Sequence, residues 1–190
     1  MFIEVHRLAL WNPRGTDVSV VLDLMIHDLD IILSLVPAPV KRIFASGIPV
    51  IADTPDIANA RIEFENGCIA NLTASRISLK NMRKIRLFQP NHYVSIDFLE
   101  KQTEMIRLAE TGETDAEGKV MMSLDTGKTT KQMAIEMPVI QPVNAIKMEL
   151  EEFAAAITDQ KPVRVSFADG YRALKTACDI LDCMNEQLGK

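Results

Sequence analysis

The sequence predicts an α+β fold in which a mostly antiparallel sheet has helices covering one face, and three observations lead there. From Lys41 to about Glu136 apolar and polar residues alternate with period two, no helical pattern interrupts that stretch, and helical spacing is confined to one segment before it and two after it. A chain of 190 residues fits one ordinary domain and buries enough apolar surface to need no disulfide.

The opening run Phe2 to Leu8 is rich in strand formers and is broken by Trp11-Asn12-Pro13-Arg14-Gly15. A helix follows over about Val18 to Val36, with Asp17 as its expected cap and Pro37 as its stop, because proline lacks an amide hydrogen and disfavours helical geometry just before itself. In the sheet region Ala58, Ala60, Ile62 and Phe64 define a dry face opposite Asn59, Arg61 and Glu63. Asn66-Gly67 predicts a tight hairpin with both residues at positive φ, and Asp125-Thr126-Gly127 predicts a second. Further alternation from Tyr93 to Phe98 puts Val94, Ile96 and Phe98 on one side. Ile146, Leu150, Phe153 and Ile157 form a helical row behind an Asn144 cap, ended by Lys161-Pro162. A last helix starts at the capping box Ser166-Phe167-Ala168-Asp169, with Leu174, Cys178, Leu181 and Leu188 expected on its packed face. The two closing helices are expected to cover the sheet.

Composition narrows the function classes. A formal net charge of -5 with interspersed signs argues against nucleic acid, which calls for a basic stripe. The most apolar stretch, Val18 to Val36, carries Asp23, His27, Asp28 and Asp30 in its middle, so it reads as a buried helix of a soluble protein and not a membrane span. Cys68, Cys178 and Cys183 lack a Cys-x-x-Cys spacing, which leaves neither a disulfide framework nor a zinc site in view. With no secretory signal at its start, the chain is expected in the cytoplasm.

Asp23, His27, Asp30 and Ser34 lie four, three and four apart and so form one narrow line on the first helix. Apolar residues surround it, which places part of the line where water is scarce. Three readings are open. A carboxylate at Asp23 can hold one ring nitrogen of His27 and leave the other free to take a proton, an arrangement worth roughly 100- to 10,000-fold in rate. The two can instead satisfy each other within the core. A metal site with Asp28 is the third, weakened because Asp28 projects about 100° around the helix from His27. No metal is expected.

The run from Asp17 to Asp30, with Asp23-x-x-x-His27-Asp28 at its centre, resembles the Asp-x-x-x-His-Asp helix of the Gfo/Idh/MocA oxidoreductases (glucose-fructose oxidoreductase, inositol dehydrogenase and MocA-like proteins). The order strand, helix, long antiparallel region and closing helices is similar to that family's C-terminal domain. The resemblance implies that residues 1–190 are this substrate-binding, catalytic and oligomerisation domain, with an N-terminal Rossmann domain binding NAD or NADP in the full-length protein. None of the eight glycines forms a Gly-x-Gly-x-x-Gly loop, so no cofactor is expected on this chain, which alone should be inactive. The family's Glu-Lys-Pro lysine is also missing, and Gln160-Lys161-Pro162 reads as a helix terminator.

On matching positions the resemblance makes His27 the acid/base residue and Asp23 its substrate-binding or orienting partner, with Asp28, Arg14, Asn12 and Arg7 as candidate substrate contacts. It implies hydride transfer between a nicotinamide and a sugar, sugar acid, cyclitol or nucleotide sugar. The implied partners are the sugar-like substrate, the chain's own Rossmann domain and further copies of itself, as a homodimer or higher homo-oligomer through the sheet, whose second face should carry Cys68, Ala70, Leu72 and Ala74 or their partners. A non-catalytic ligand-binding or assembly module with the same fold is the competing reading.

Overall fold

A computed structural model describes residues 1–109, 119–125, 127–141 and 143–187. Strand β1 (Phe2–Leu8) leads through a loop and a π-helical turn (Val21–Met25) into α1 (Ile26–Leu35). Eight strands follow: β2 (Val40–Ile48), β3 (Ile57–Phe64), β4 (Ile69–Ser75), β5 (Met82–Gln89), β6 (His92–Asp97), β7 (Gln102–Leu108), β8 (Lys119–Asp125) and β9 (Thr130–Glu136). Helices α2 (Ala145–Thr158) and α3 (Phe167–Gln187) come last. The strands join in one sheet ordered β2-β3-β4-β1-β5-β6-β7-β9-β8, antiparallel except for β1 beside β4. This is the expected α+β class.

The period-two pattern of β3 falls as expected, with Ala58, Ala60, Ile62 and Phe64 all buried. Cys68, Ala70, Leu72 and Ala74 are buried as well, so they line the helix-covered core and not a second face offered for assembly. Register explains this: Ala60 faces Leu72 and Ile62 faces Ala70, and cross-strand partners share a face. On the same face Val94 and Ile96 are half-buried, because α1 and α3 sit over the β2 side of the sheet and leave β6 uncovered; Phe98 lies past the strand end and is exposed.

Three local expectations need correcting. The helix begins near Val20, and Ser19 starts it in place of Asp17, its Oγ accepting from the Val21 amide at 3.3 Å and its carbonyl from Asp23 at 3.0 Å. The β3–β4 hairpin uses a three-residue loop in which only Gly67 has positive φ (79°), while Asn66 Oδ1 accepts from the Cys68 amide. In α3 the buried row is Ala173, Ala177, Ile180 and Met184, which leaves Leu174 and Cys178 exposed; Leu181 is half-buried against the core as expected, and Leu188 lies outside the described residues. Helix α3 packs on both α1 and β2, and leucine spacing alone does not report which of its faces meets them.

The capping box forms in full, Ser166 and Asp169 each accepting from the other's amide. Asn144 Oδ1 caps α2 at the Lys147 amide, as expected. That helix ends at Thr158, ahead of Lys161-Pro162, with Gln160 at φ 50° turning the chain away. Unlike α3, α2 covers no part of the sheet: none of its residues is buried, and Ile146, Leu150, Phe153 and Ile157 are 62–72% exposed. In the second hairpin Gly127 takes φ 76° and donates to Asp125 Oδ1, while Thr126 lies outside the described residues.

Candidate active site

Central strand β1 delivers the chain to a loop whose start is pinned to its neighbours. The Ala9 amide donates to Ser75 O at 2.7 Å, Ser78 donates back to Ala9 O at 3.0 Å, and Leu10 donates to Asn81 Oδ1 at 3.2 Å. Beyond Leu10 the loop faces solvent: Trp11, Asn12 and Arg14 are exposed, and Asn12 Oδ1 accepts from the Arg14 amide in a local turn.

The helix then presents Asp23 and His27, both exposed, with Asp30 half-buried and Ser34 exposed behind them. Water is therefore not scarce along the line, because the apolar side chains beside it (Val21, Met25, Leu29 and Ile32) turn inward to the core. Among the described residues Asp23 and His27 make no side-chain hydrogen bond to each other. A π-turn covers Val21–Met25, the Ile26 amide reaching Val21 O, so the step from Asp23 to His27 passes through a wider turn than an α-helix has.

Asp28 points the other way. It is buried and takes both Nε and Nη2 of Arg7 at 2.8 and 2.7 Å, a two-pronged ion pair that ties α1 to β1 directly behind His27. Of the sequence candidates, then, Asp23, His27, Asn12 and Arg14 face outward, whereas Arg7 and Asp28 are engaged with each other.

A second buried ion pair was not found from sequence. Asp56, just before β3, and Arg76, just after β4, lie at the same open end of that hairpin and meet through Arg76 Nε and Asp56 Oδ1 at 2.7 Å, with the Arg76 and Asp56 side chains 5% and 0% exposed. Asp56 Oδ2 also accepts from the amides of Val50, Ile51 and Ala52 at 2.8, 2.6 and 3.0 Å. Burial pushes the Asp56 carboxyl up, but the three amides and the guanidinium overcome that and hold it well below the usual carboxylate range. The rest of the guanidinium reaches back to the loop, Nη1 donating to Gly15 O (3.1 Å) and Val18 O (2.6 Å) and Nη2 to Thr54 Oγ1 (2.7 Å). One signal was available: the hairpin register that pairs Ile57 with Ser75 puts the next residues out, Asp56 and Arg76, side by side.

A groove of about 880 Å³ between the end of α1, β2 and α3 is lined by residues such as Val36, Arg42, Lys175 and Cys183, and neither Asp23 nor His27 borders it. The Asp23–His27 surface is thus an open shelf on this chain. Among the described residues no three His, Cys, Asp or Glu side chains converge as a metal site requires. A dinucleotide does not fit the described residues either: the sheet has one parallel pair, and no glycine-rich turn joins a strand to a helix where a pyrophosphate would sit. Among the described residues no helix is long and apolar enough to cross a membrane.

A nine-stranded, mostly antiparallel sheet whose central strand runs into a helix bearing Asp-x-x-x-His-Asp defines a class, the C-terminal domain of the two-domain oxidoreductases resembled above. Residues 7–89 match the GFO/IDH/MocA C-terminal domain, the family resembled above. It is 31% identical over 179 residues to a UDP-N-acetylglucosamine 3-dehydrogenase from Acidithiobacillus ferrooxidans, covering 94% of this chain and 53% of that protein. A crystal form of that enzyme superposes with a TM-score of 0.83 at 30% identity, over 100% of this chain and 56% of the other. The WlbA dehydrogenase from Bordetella pertussis, solved with NADH and UDP-GlcNAcA, shares the fold at a TM-score of 0.67 and 10% identity, over 98% of this chain and 52% of its own. The chain spans about half the length of the curated relative it matches.

Proposed function

We propose that this chain is the substrate domain of an NAD(P)-dependent oxidoreductase acting on a nucleotide sugar, with His27 as the acid/base residue and Asp23 as its partner. The observation that carries this reading is the exposed Asp23–His27 pair, one helical turn apart, on a helix whose opposite side is locked to the sheet by Arg7 and Asp28. An imidazole in the open can take the proton of a bound hydroxyl, and a carboxylate alongside stabilises the resulting imidazolium. Arg14 and Asn12, exposed on the preceding loop, are placed to meet a charged or polar part of the substrate. The nucleotide sugar is chosen because the relative named above, matched along 94% of this chain, is a UDP-N-acetylglucosamine 3-dehydrogenase.

An open shelf needs a second wall, and in this reading an N-terminal dinucleotide-binding domain supplies both the wall and the nicotinamide. The bare apolar row of α2 supports it, since exposed apolar surface of that extent calls for a cover. Assembly through the sheet belongs to the same proposal: Phe44 and Phe88, on the face opposite the helices, are 45% and 38% exposed. Free Cys68, Cys178 and Cys183 fit a reducing cytoplasm.

The test is to assay the longer polypeptide carrying this chain with UDP-N-acetylglucosamine and related UDP-sugars plus NAD or NADP, following the reduced nicotinamide. Turnover is expected with at least one UDP-sugar and none from residues 1–190 alone. Calorimetric binding of a UDP-sugar with no turnover across the series would favour a ligand-binding module instead.

A further inference from the structure

We propose that Arg76, with Asp56 and Thr54, is a positioning residue that fixes where the helix carrying Asp23 and His27 begins. The inference rests on the oxidoreductase reading above and assigns a role to residues remote from the open shelf. Its basis is the set of oxygens the guanidinium collects. Nη1 bridges the carbonyls of Gly15 and Val18, which lie either side of the turn immediately before the helix. Thr54 Oγ1 accepts from Nη2 and itself lies 2.9 Å from Thr16 O and 3.1 Å from Val18 O. The Val20 amide donates to Pro55 O at 3.0 Å, so the segment before the helix is sutured to the Thr54–Asp56 segment at successive points.

Stability alone does not account for a charge in this place, because a buried ion pair is often matched or bettered by apolar residues of similar volume. A planar guanidinium does something an apolar group cannot: it holds oxygens from two segments, Gly15–Val18 and Thr54–Asp56, in fixed relative positions. The segment it holds feeds straight into the π-turn, where Ser19 O accepts from both Leu22 and Asp23. A slip of the upstream carbonyls lets that wide turn relax toward ordinary α-helical spacing, which rotates Asp23 relative to His27. Misplacement of a reacting group by about 1 Å costs on the order of 100-fold in rate.

The experiment uses Arg76→Lys and Thr54→Val in the longer protein that includes the dinucleotide-binding domain, with amide hydrogen exchange measured beside turnover. Thr54→Val keeps the Arg76–Asp56 pair and the residue's shape, so it decides the matter should Arg76→Lys fail to fold. Well below the melting temperature the account expects faster exchange across Val20–Ile26 with β3 and β4 still protected, and kcat lowered by about 10- to 100-fold with cofactor affinity unchanged. A folded Thr54→Val protein with unaltered exchange in that segment and normal kcat overturns the proposal. If His27→Ala also leaves turnover intact, it is the oxidoreductase reading that fails, and the exchange data still judge the clamp.

Discussion

Replacing Asp56 by Asn removes one charge from a site built around it. The side chain is 0% exposed, and its oxygens serve the Arg76 guanidinium on one side and the Val50, Ile51 and Ala52 amides on the other. Asparagine keeps one oxygen, so its NH2 must face either the guanidinium or the amides, donor against donor. Arg76 is then a buried cation without a counter-charge, a change that costs about 3–5 kcal/mol. In a domain of this size each kcal/mol moves Tm by about 2–4 °C, so a fall of roughly 6–20 °C is expected. Urea and thermal unfolding followed by far-UV circular dichroism at neutral pH measure both quantities. The pH dependence adds a second reading. Because the folded Asp56 carboxyl lies below its ordinary value of 3.8, the unfolded chain binds its proton first; the stabilisation is complete above the unfolded range and is lost as pH falls through about 4 and lower. The gap between wild type and variant should therefore narrow in acid. A loss under about 1 kcal/mol at neutral pH, or a gap that widens in acid, refutes the reasoning.

Asp28→Asn should destabilise by roughly 1.5–3 kcal/mol in urea unfolding, because it weakens the paired hydrogen bonds to Arg7 that tie α1 to β1. Gly47→Ala should cost about 1–3 kcal/mol by the same measurement, since a Cβ there would lie 2.9 Å from Ile57 O and collide with the Met184 methyl. Ile146→Ser with Phe153→Ser should change the stability of this chain by no more than about 0.5 kcal/mol, as both side chains are exposed. In the longer protein the same pair should lower Tm clearly, and equal small effects in both would remove α2 as a covered surface.

The fold class was legible because its signals are local. Alternation in β3, the Gly67 turn, the Asn144 cap and the Ser166–Asp169 box each need only neighbouring residues, and each forms. What escaped depends on partners distant in sequence. The buried row of α3 runs through Ala173 and Ala177 and not Leu174 and Cys178, because the face it buries is set by α1 and β2, both far upstream. The bare state of α2 is likewise invisible to periodicity, which reports that an apolar face exists and not what covers it. In the site, the line Asp23–His27–Asp30–Ser34 was readable from helical spacing, but the π-turn beneath it was not, since i to i+5 bonding leaves no mark in the pattern. Arg7 and Asp28 illustrate the same limit: each was a plausible substrate contact as a residue type, and only tertiary structure shows them holding one another.

The central claim is that His27 moves the substrate's hydroxyl proton, and one comparison addresses it most directly. Single-turnover rates of the longer protein and its His27→Ala variant are measured with the same UDP-sugar at saturating cofactor, with folding of both checked by circular dichroism. The account predicts a loss of about 100- to 10,000-fold in the variant. Equal rates in the two proteins contradict it.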